Sequence, residues 1–361
     1  MTTDSIFENT EVAFKLKSDS QLERAYFLFK MIANEPLVKI GTVVTKFALK
    51  AHLPVEGLIR STVFDHFCGG VNENDCMPVV ESLSKLGVKS VLDYSVEGKE
   101  GEEQFNSTLN KVIELTAFSK INNAMPFSVF KPSGLGRFEL FQKVTENIEL
   151  SNQEDIEWSQ VKKRFDVASN RASQANIKLL IDAEESWMQR AADELCTDLM
   201  AKYNQKRVVV FNTLQCYRWD RLDYLKAEHK KALANGYKLG YKIVRGAYLE
   251  KENERAEAMG YKTPICETKE ATDTCFNEVL NYILNNLSEI ELFIGTHNEE
   301  STYLAIHQMK EKKIAKNDSR VWFGQLYGMS DHITFNLAKL GYSVAKYVPF
   351  GPVKDVMPYL I

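Results

Sequence analysis

The chain has 361 residues, of which 44% are hydrophobic and 26% charged, a composition that excludes a largely disordered or fibrous protein. Its 45 basic and 49 acidic residues give a net charge of -4, so the sequence lacks the positive surplus that binds nucleic-acid phosphates, and we expect no nucleic-acid partner. The six cysteines form no CxxC pair and the six histidines no HExxH motif, so neither a disulfide scaffold nor a metal site is indicated. No apolar run approaches the roughly 18–20 residues that span a bilayer, and the first residues lack a signal-peptide core. We therefore predict a cytoplasmic protein with reduced thiols.

Residues 1–89 are predicted to form an N-terminal helical segment. Leu22, Tyr26 and Phe29 recur near helical spacing, and Ser20 with Glu23 has the spacing of a capping box at a helix start. Residues 90–361 are predicted to form one further domain.

From residue 90 onward, short runs of β-branched and aromatic residues alternate with longer amphipathic stretches, which is typical of repeated β/α units on a parallel sheet. The predicted strands cover residues 90–94, 127–130, 177–181, 208–211, 242–244, 292–295, 321–323 and 344–347. The predicted helices between them include residues 186–203, 221–233, 272–284 and 302–312. The polar stretch 146–174 is interpreted as an insertion that carries helices.

Eight such units close as an α/β fold of the TIM-like (β/α)8 barrel type. An open doubly wound sheet is the alternative, and it would require a glycine-rich phosphate turn after its first strand. The sequence has no such turn, because the GxG of Gly134 and Gly136 lacks the third glycine. The pattern therefore favours the barrel.

In barrels of this type the active site lies at the C-terminal ends of the strands. Polar residues collect at those ends, namely Asp93, Glu97, Lys131, Asp182, Gln215, Lys242, Arg245, Tyr248, Thr296, His297, Asn298, Gln325 and Tyr347. Structural interpretations remain open for some of them: acidic residues 182–185 could begin a helix, His297 could be a packed histidine, and Lys131 could be a solvated loop lysine. Their shared position favours one functional site. A buried Lys131 would then require a carboxylate partner.

Several strings carry a more specific similarity. They are KIVRGAY at 242–248, GTHN at 295–298, FGQLYGM at 323–329 and YVPFGP at 347–352, with supporting strings at 66–70, 92–97, 130–131 and 181–185. In order and spacing they resemble the motifs of the proline dehydrogenases, a family of FAD-dependent barrel enzymes.

The resemblance implies oxidation of L-proline to Δ1-pyrroline-5-carboxylate, with hydride transfer to FAD and electron delivery to a quinone. It implies a catabolic enzyme that contacts the inner face of the cytoplasmic membrane peripherally. Leu249 stands where bifunctional relatives carry tryptophan, which indicates the monofunctional branch.

Residue roles follow from the same resemblance. Asp182 and Lys242 are the implied catalytic residues, although some family members carry arginine at the position of Lys242. The implied proline-binding residues are Lys131, Ile243 as an apolar wall, Tyr248, Tyr347, Tyr359 and, through an ion pair with a substrate-binding arginine, Glu97. The implied FAD-binding residues are Ala183, Gln215, Lys242, Val244, Arg245, Gly246, Ala247, Thr268, Lys269, Thr296, His297 and Asn298.

The sequence departs from the family pattern at its end. The family places an arginine pair directly after the segment that matches residues 358–361, so we expect the eighth helix to be incomplete in this chain. The chain is then a fragment of a longer enzyme or a catalytically impaired barrel that binds proline poorly. A second functional alternative is a Schiff-base aldolase-type barrel, in which Lys131 is the nucleophile and Asp182 manages its protons.

Overall fold

The structure, a computed structural model, describes residues 3–33, 63–95 and 101–360. Its strands are β1 (Lys89–Tyr94), β2 (Phe127–Phe130), β3 (Lys178–Ile181), β4 (Val210–Gln215), β5 (Leu239–Val244), β6 (Ile290–Gly295), β7 (Val321–Leu326) and β8 (Val344–Phe350). All seven ladders are parallel, in the order β1-β8-β7-β6-β5-β4-β3-β2. β1 and β2 lie side by side, and the amide of Ser90 donates to the carbonyl of Ala124 at 2.8 Å. The predicted (β/α)8 barrel is confirmed.

Helices surround this barrel. In chain order they are α1 (Thr10–Ala13), α2 (Asp19–Ile32), α3 (Asp65–Phe67), α4 (Glu73–Lys85), α5 (Glu102–Ile121), α6 (Phe138–Thr145), α7 (Asn152–Ala175), α8 (Ser186–Tyr203), α9 (Arg221–Asn235), α10 (Leu249–Met259), α11 (Lys269–Asn285), α12 (Glu299–Glu311), α13 (Asp331–Lys339) and α14 (Val353–Leu360). Short 3-10 turns cover Thr3–Glu8 and Pro132–Gly134. None of the helices in the described ranges combines the length and the apolar character that crossing a membrane requires.

Two predictions about helices were wrong. The capping box of α2 is formed by Ser18 and Gln21, two residues before the predicted pair, because the same spacing of residue types occurs in both registers. The stretch 146–174 is helical as predicted but is no insertion, since most of it is α7, which connects β2 with β3. Opposite its polar face, α7 has an apolar stripe that includes Phe165, Ala168 and Ala172, and this stripe is buried in the main core.

The N-terminal helix α4 shares a core with the barrel. Its buried residues Cys76, Val80 and Leu83 pack with Leu92 of β1 and Val348 of β8. The division into segments 1–89 and 90–361 stays a prediction.

The barrel interior is apolar at one end and polar at the other. Side chains of a strand alternate between its two faces, so one set of positions fills the interior and the other packs under the helices. The apolar part of the interior contains residues such as Val91, Phe127 and Phe293. The rings of Phe127 and Phe293 pack edge to face, with centroids 5.2 Å apart. One step further along the strands, these interior positions hold Asp93 and Gly295. The apolar base therefore supports a polar mouth at the C-terminal ends of the strands.

Candidate active site

The mouth of the barrel contains a cavity of about 500 Å³, a size typical of cofactor and ligand sites. Most of the predicted site residues line it, namely Lys131, Asp182, Ala183, Gln215, Lys242, Val244, Arg245, Gly246, Ala247, Tyr248, Lys269, Thr296, His297, Asn298 and Tyr347. The strands therefore bring residues from across 217 positions of the chain, from Lys131 to Tyr347, into one place.

The prediction for Ile243 was wrong. Ile243 is fully buried in the core between the sheet and the helices, whereas its neighbours Lys242 and Val244 line the cavity. The reason is the alternation of side chains along β5, which places residues 242 and 244 on one face and residue 243 on the other. Ile243 therefore cannot form a wall against a ligand in this cavity.

Three other predicted residues are not among those that line the cavity in the described part of the chain. Thr268 is exposed and caps α11, accepting a hydrogen bond from the amide of Ala271 at 3.1 Å, next to the cavity residue Lys269. Glu97 lies outside the described residues, as does the side chain of Tyr359 in α14.

Some residues that line the cavity were not predicted from the sequence. Thr213, Phe293, Gly295, Gly324 and Leu326 complete the cavity wall, together with Gln325, which had been noted only as a strand-end polar residue. The period of two along β4, β6 and β7 was the signal that could have found them, because it places residues 213, 295, 324 and 326 on the interior face. The strands that carry them are long enough to reach the mouth.

A cluster of opposed charges lies inside the mouth. Lys242, only 6% exposed, forms a short ion pair with Asp182 Oδ1 and donates to the Tyr347 hydroxyl at 3.0 Å. The Tyr347 hydroxyl in turn lies 3.5 Å from the same Asp182 oxygen. Asp182 thus does not cap a helix, and its Oδ1 is occupied by two donors of the barrel.

Asp93 extends this cluster. Burial raises its pKa above the ordinary value and the Asp182 charge raises it further, while Lys131, a hydrogen bond from Ser95 and Lys242 act in the opposite direction. The Ser95 hydroxyl donates to Asp93 Oδ2 at 2.9 Å. Lys131 is half-buried in the structure, and the charge of Asp93 acts on it there.

Glu184 is a second buried carboxyl, and it supports the wall of the cavity. It accepts hydrogen bonds from the Ser133 amide at 2.8 Å and the Ser133 hydroxyl at 2.6 Å. Its carbonyl accepts from Gln215 Nε2 at 2.6 Å. Burial raises the pKa of Glu184 from 4.5 to about 7, although the bonds from Ser133 and the charge of Lys131 oppose the rise.

This raised pKa predicts a pH dependence of stability. Between about pH 4.5 and 7 the folded state keeps a proton on Glu184 that the unfolded state releases, so the Glu184 contribution to the free energy of unfolding falls as pH rises. At about 1.4 kcal/mol per pKa unit, the full shift corresponds to a loss of about 3–4 kcal/mol. Urea denaturation of the wild type and of Glu184→Gln at pH 5 and pH 8 checks this. The difference in stability between the two proteins should change with pH, and an identical difference at both pH values would contradict the prediction.

Uncharged and basic donors line the rest of the mouth. Arg245 donates to the hydroxyls of Thr296 at 2.8 Å and Ser301 at 3.0 Å, and forms an ion pair with Asp273 at 2.6 Å. His297 Nδ1 lies 2.9 Å from the hydroxyl of Ser330. Burial of the imidazole, then the charges of Lys346 and His332, lower the pKa of His297 to about 4, so the ring is neutral at pH 7.

This lining fits a flavin. The amides of Gln215 and Asn298 and the neutral His297 supply uncharged hydrogen-bonding groups for a heterocycle. The exposed ammonium of Lys269 and the guanidinium of Arg245 supply positive charge of the kind that holds phosphates. The cavity therefore has the donor set of a dinucleotide cofactor site.

Comparison with known proteins agrees with this chemistry. Residues 76–361 match the family model for proline dehydrogenase. The chain is 34% identical over 335 residues to the carbapenem antibiotics biosynthesis protein CarD of Pectobacterium carotovorum subsp. carotovorum, covering 92% of this chain and 87% of that protein. It is 33% identical over 293 residues to human mitochondrial proline dehydrogenase 1, covering 78% of this chain but 46% of the human protein.

A solved structure shares the fold. Proline utilization A (PutA) from Bdellovibrio bacteriovorus, inactivated by N-propargylglycine, superposes with a TM-score of 0.75 at 20% identity. The match covers 84% of this chain and 33% of the PutA chain, so this chain spans about a third of that protein. With the family model covering most of the sequence and the barrel mouth carrying the expected donors, the chain belongs to the proline dehydrogenase family.

Proposed function

We propose that this chain oxidises L-proline to Δ1-pyrroline-5-carboxylate, with FAD bound in the barrel mouth as the hydride acceptor and a quinone as the final electron acceptor. The observation that carries the proposal is the cluster of two cations and two carboxylates in the mouth. Asp93 senses the charges of Lys131, Lys242 and Asp182, and Lys242 pairs with Asp182, beside uncharged donors suited to a flavin.

The cluster suits proline as a substrate. At neutral pH proline carries a carboxylate and a secondary ammonium, so it requires a cation and an anion within a few ångströms of each other. Lys131 supplies the cation for the carboxylate, and Asp182 supplies the anion for the ammonium. Tyr248 and Tyr347 also line the cavity and offer aromatic surface to the pyrrolidine ring.

The reaction removes a hydride from the methylene carbon on the side of the nitrogen away from the carboxylate, and a proton from the nitrogen itself. FAD supplies the two-electron acceptor chemistry that side chains lack. Lys242 and Tyr347 both bind Oδ1 of Asp182, which fixes the carboxylate and leaves Oδ2 to accept the substrate proton. The ammonium of Lys242, nearly excluded from water, holds this carboxylate in place.

An anaerobic proline titration of the purified, FAD-supplemented protein tests the proposal. We expect a yellow protein whose visible flavin absorption is bleached by L-proline and restored by a soluble quinone. Folded but colourless protein would exclude FAD binding. Bound flavin that proline does not reduce would exclude proline oxidation.

Substituting Lys131 tests substrate recognition. Lys131→Met should raise the KM for proline by about tenfold to a hundredfold, because a lost hydrogen bond to a charged group costs about 1.5–3 kcal/mol. FAD binding should stay close to that of the wild type. An unchanged KM would remove Lys131 from the carboxylate site.

The same residue separates the proposal from the Schiff-base alternative. An aldolase-type enzyme would form a covalent imine with Lys131, which borohydride reduces to a stable adduct. We expect no adduct of proline or its product on Lys131 by mass spectrometry of the borohydride-treated protein. The family match supports the flavin enzyme over this alternative.

The location of the protein belongs to the same proposal. Quinones reside in membranes, so the enzyme would work from the cytoplasm by peripheral contact with the inner face of the cytoplasmic membrane. Co-sedimentation with lipid vesicles before and after reduction by proline measures this contact directly.

A further inference from the structure

The helix α10 begins at the mouth of the barrel. Its N-cap residue Tyr248 lines the cavity, and so do the residues 244–247 that lead to it. The structure describes every residue of α10, and within this helix the buried residues are Glu252 and Ala256 alone. Tertiary packing holds most protein helices in place, and α10 has little apolar surface for it. Other contacts must therefore set the position of α10, and with it that of Tyr248.

Glu252 makes such a contact. Its side chain is fully buried, and a buried carboxylate is costly unless donors satisfy it. Glu252 Oε1 accepts a hydrogen bond from the amide of Ser186, and Oε2 accepts one from the Ser186 hydroxyl, both at 2.6 Å. The amide of Glu252 donates to the carbonyl of Tyr248 at 2.9 Å. Glu252 therefore connects Tyr248 to Ser186.

Ser186 is the first residue of α8, a position that favours an anion. Amides in the first turn of a helix lack partners within the helix, and the helix dipole is positive there. The side chain of the N-cap residue Glu185 pairs with Lys251 at 2.8 Å instead of capping α8. Glu252, 66 positions after Ser186, thus takes the place of a local cap.

The other end of the loop before α10 lies on Tyr217. The amide of Tyr217 donates to the carbonyl of Arg245 at 2.7 Å. Gly246 has φ 133°, and a Cβ at this position would lie 2.6 Å from the Tyr217 ring, so the backbone of the loop packs directly on that ring. With Glu252 holding the start of α10, the loop is fixed at both ends.

We propose that Glu252 is a positioning residue that docks α10 on the first turn of α8 and so holds the Tyr248 ring against the proline ring. Asp182 lies in the loop that leads into α8, so the same contact fixes Tyr248 relative to Asp182. The functional half of this inference rests on the proposed function, because it requires proline in the mouth. The docking follows from the contacts of Glu252 and is measurable without substrate.

Three variants separate the docking from other effects of substitution. Glu252→Ala removes both bonds to Ser186, and alanine has the highest helix propensity, so α10 itself is expected to form. Glu254→Ala is the matched control, because Glu254 is exposed on the same helix and does not line the cavity. Glu252→Gln is the conservative variant, since its amide oxygen can accept from the Ser186 amide while its NH₂ group donates to the Ser186 hydroxyl. If Glu252→Ala fails to fold, Ser186→Ala, which removes one of the two bonds, replaces it in each measurement.

Hydrogen–deuterium exchange of the full, FAD-supplemented chain without proline provides the first measurement. In Glu252→Ala the Ser186 amide loses its acceptor and α10 its docking contact, so we expect faster exchange at the start of α8 and throughout α10. Glu254→Ala and Glu252→Gln should exchange like the wild type. Unchanged exchange in Glu252→Ala would overturn the docking, as would an equal acceleration in Glu254→Ala.

Proline turnover per bound flavin provides the second measurement. Glu252→Ala should lower kcat/KM for proline about 10- to 100-fold, the effect of a misplacement of about 1 Å at a reacting centre, with Glu252→Gln and Glu254→Ala within about threefold of the wild type. A role in stability alone would lower the flavin content or the urea midpoint and leave kcat/KM per bound flavin unchanged. That result would overturn the proposal.

A double-mutant cycle with Tyr248→Ala tests whether Glu252 acts through Tyr248. If it does, Glu252→Ala should lower kcat/KM by less than about twofold in the Tyr248→Ala background, because the two changes remove the same contact. The same loss in both backgrounds would overturn the claim. If the wild type does not oxidise proline, the proposed function fails, and the exchange result still decides whether Glu252 docks α10.

Discussion

Replacing Lys242 with methionine is expected to lower kcat/KM for proline by about 10²- to 10³-fold, the range seen when one donor aimed at a reacting group is removed. Lys242 holds both Asp182 and Tyr347, and its ammonium is nearly excluded from water. Methionine fills a similar volume but leaves the Asp182 carboxylate without its cation, and an uncompensated buried charge is costly. Steady-state turnover and stopped-flow flavin reduction by proline measure the loss.

Lys242→Arg is the matched control. It keeps the positive charge, and the resemblance described above places arginine at this position in some family members. We therefore expect Lys242→Arg to retain most of the activity, reduced by the altered shape of the donor group. If Lys242→Met kept activity within threefold of the wild type at equal flavin content, Lys242 would have no catalytic role.

The barrel could be predicted from sequence because its apolar strand runs are separated by long amphipathic helices. The ends of the strands were harder to predict. β4 was expected over 208–211 but covers Val210–Gln215, since Asn212, Thr213 and Gln215 are polar residues buried inside the sheet. Ending a predicted strand where its apolar run ends is therefore wrong at a barrel mouth. Polar side chains there are buried because they have hydrogen-bond partners. The Thr213 hydroxyl, for example, donates to the Ile181 carbonyl at 2.8 Å.

The candidate site was predictable where a motif and the strand alternation agree, and not elsewhere. Lys242 and Val244 satisfy both, whereas Ile243 satisfies the motif alone and faces the helices. The partnership of His297 with Ser330 had no local signal, since 33 residues separate the two and only the packing of β6 beside β7 brings them together.

A buried polar network links the outer helices to this site, and it also had no sequence signal. Asp193 of α8 accepts three hydrogen bonds, from Gln189 at 2.8 Å, from Asn212 at 2.9 Å and from Arg221 at 3.0 Å. Gln189 also accepts a bond from the amide of Glu184 at 2.8 Å. One carboxylate therefore organises two helices, a strand and, through Gln189, the wall of the cavity.

Replacing Asp193 with alanine is expected to lower the free energy of unfolding by about 3–5 kcal/mol, because it breaks a buried ion pair and leaves two buried amide donors without their acceptor. Asp220→Ala is the comparison variant: Asp220 pairs with Arg221 at 2.6 Å and with Arg218 at 2.7 Å, but its side chain is 29% exposed against 6% for Asp193. Solvent can reach Asp220 and replace part of both contacts, so we expect the loss of its two ion pairs to cost about 1–2 kcal/mol. Urea denaturation compares the two variants. Equal destabilisation of the two variants would contradict the prediction, because it would mean that the burial of Asp193 does not make its contacts more stabilising than those of Asp220.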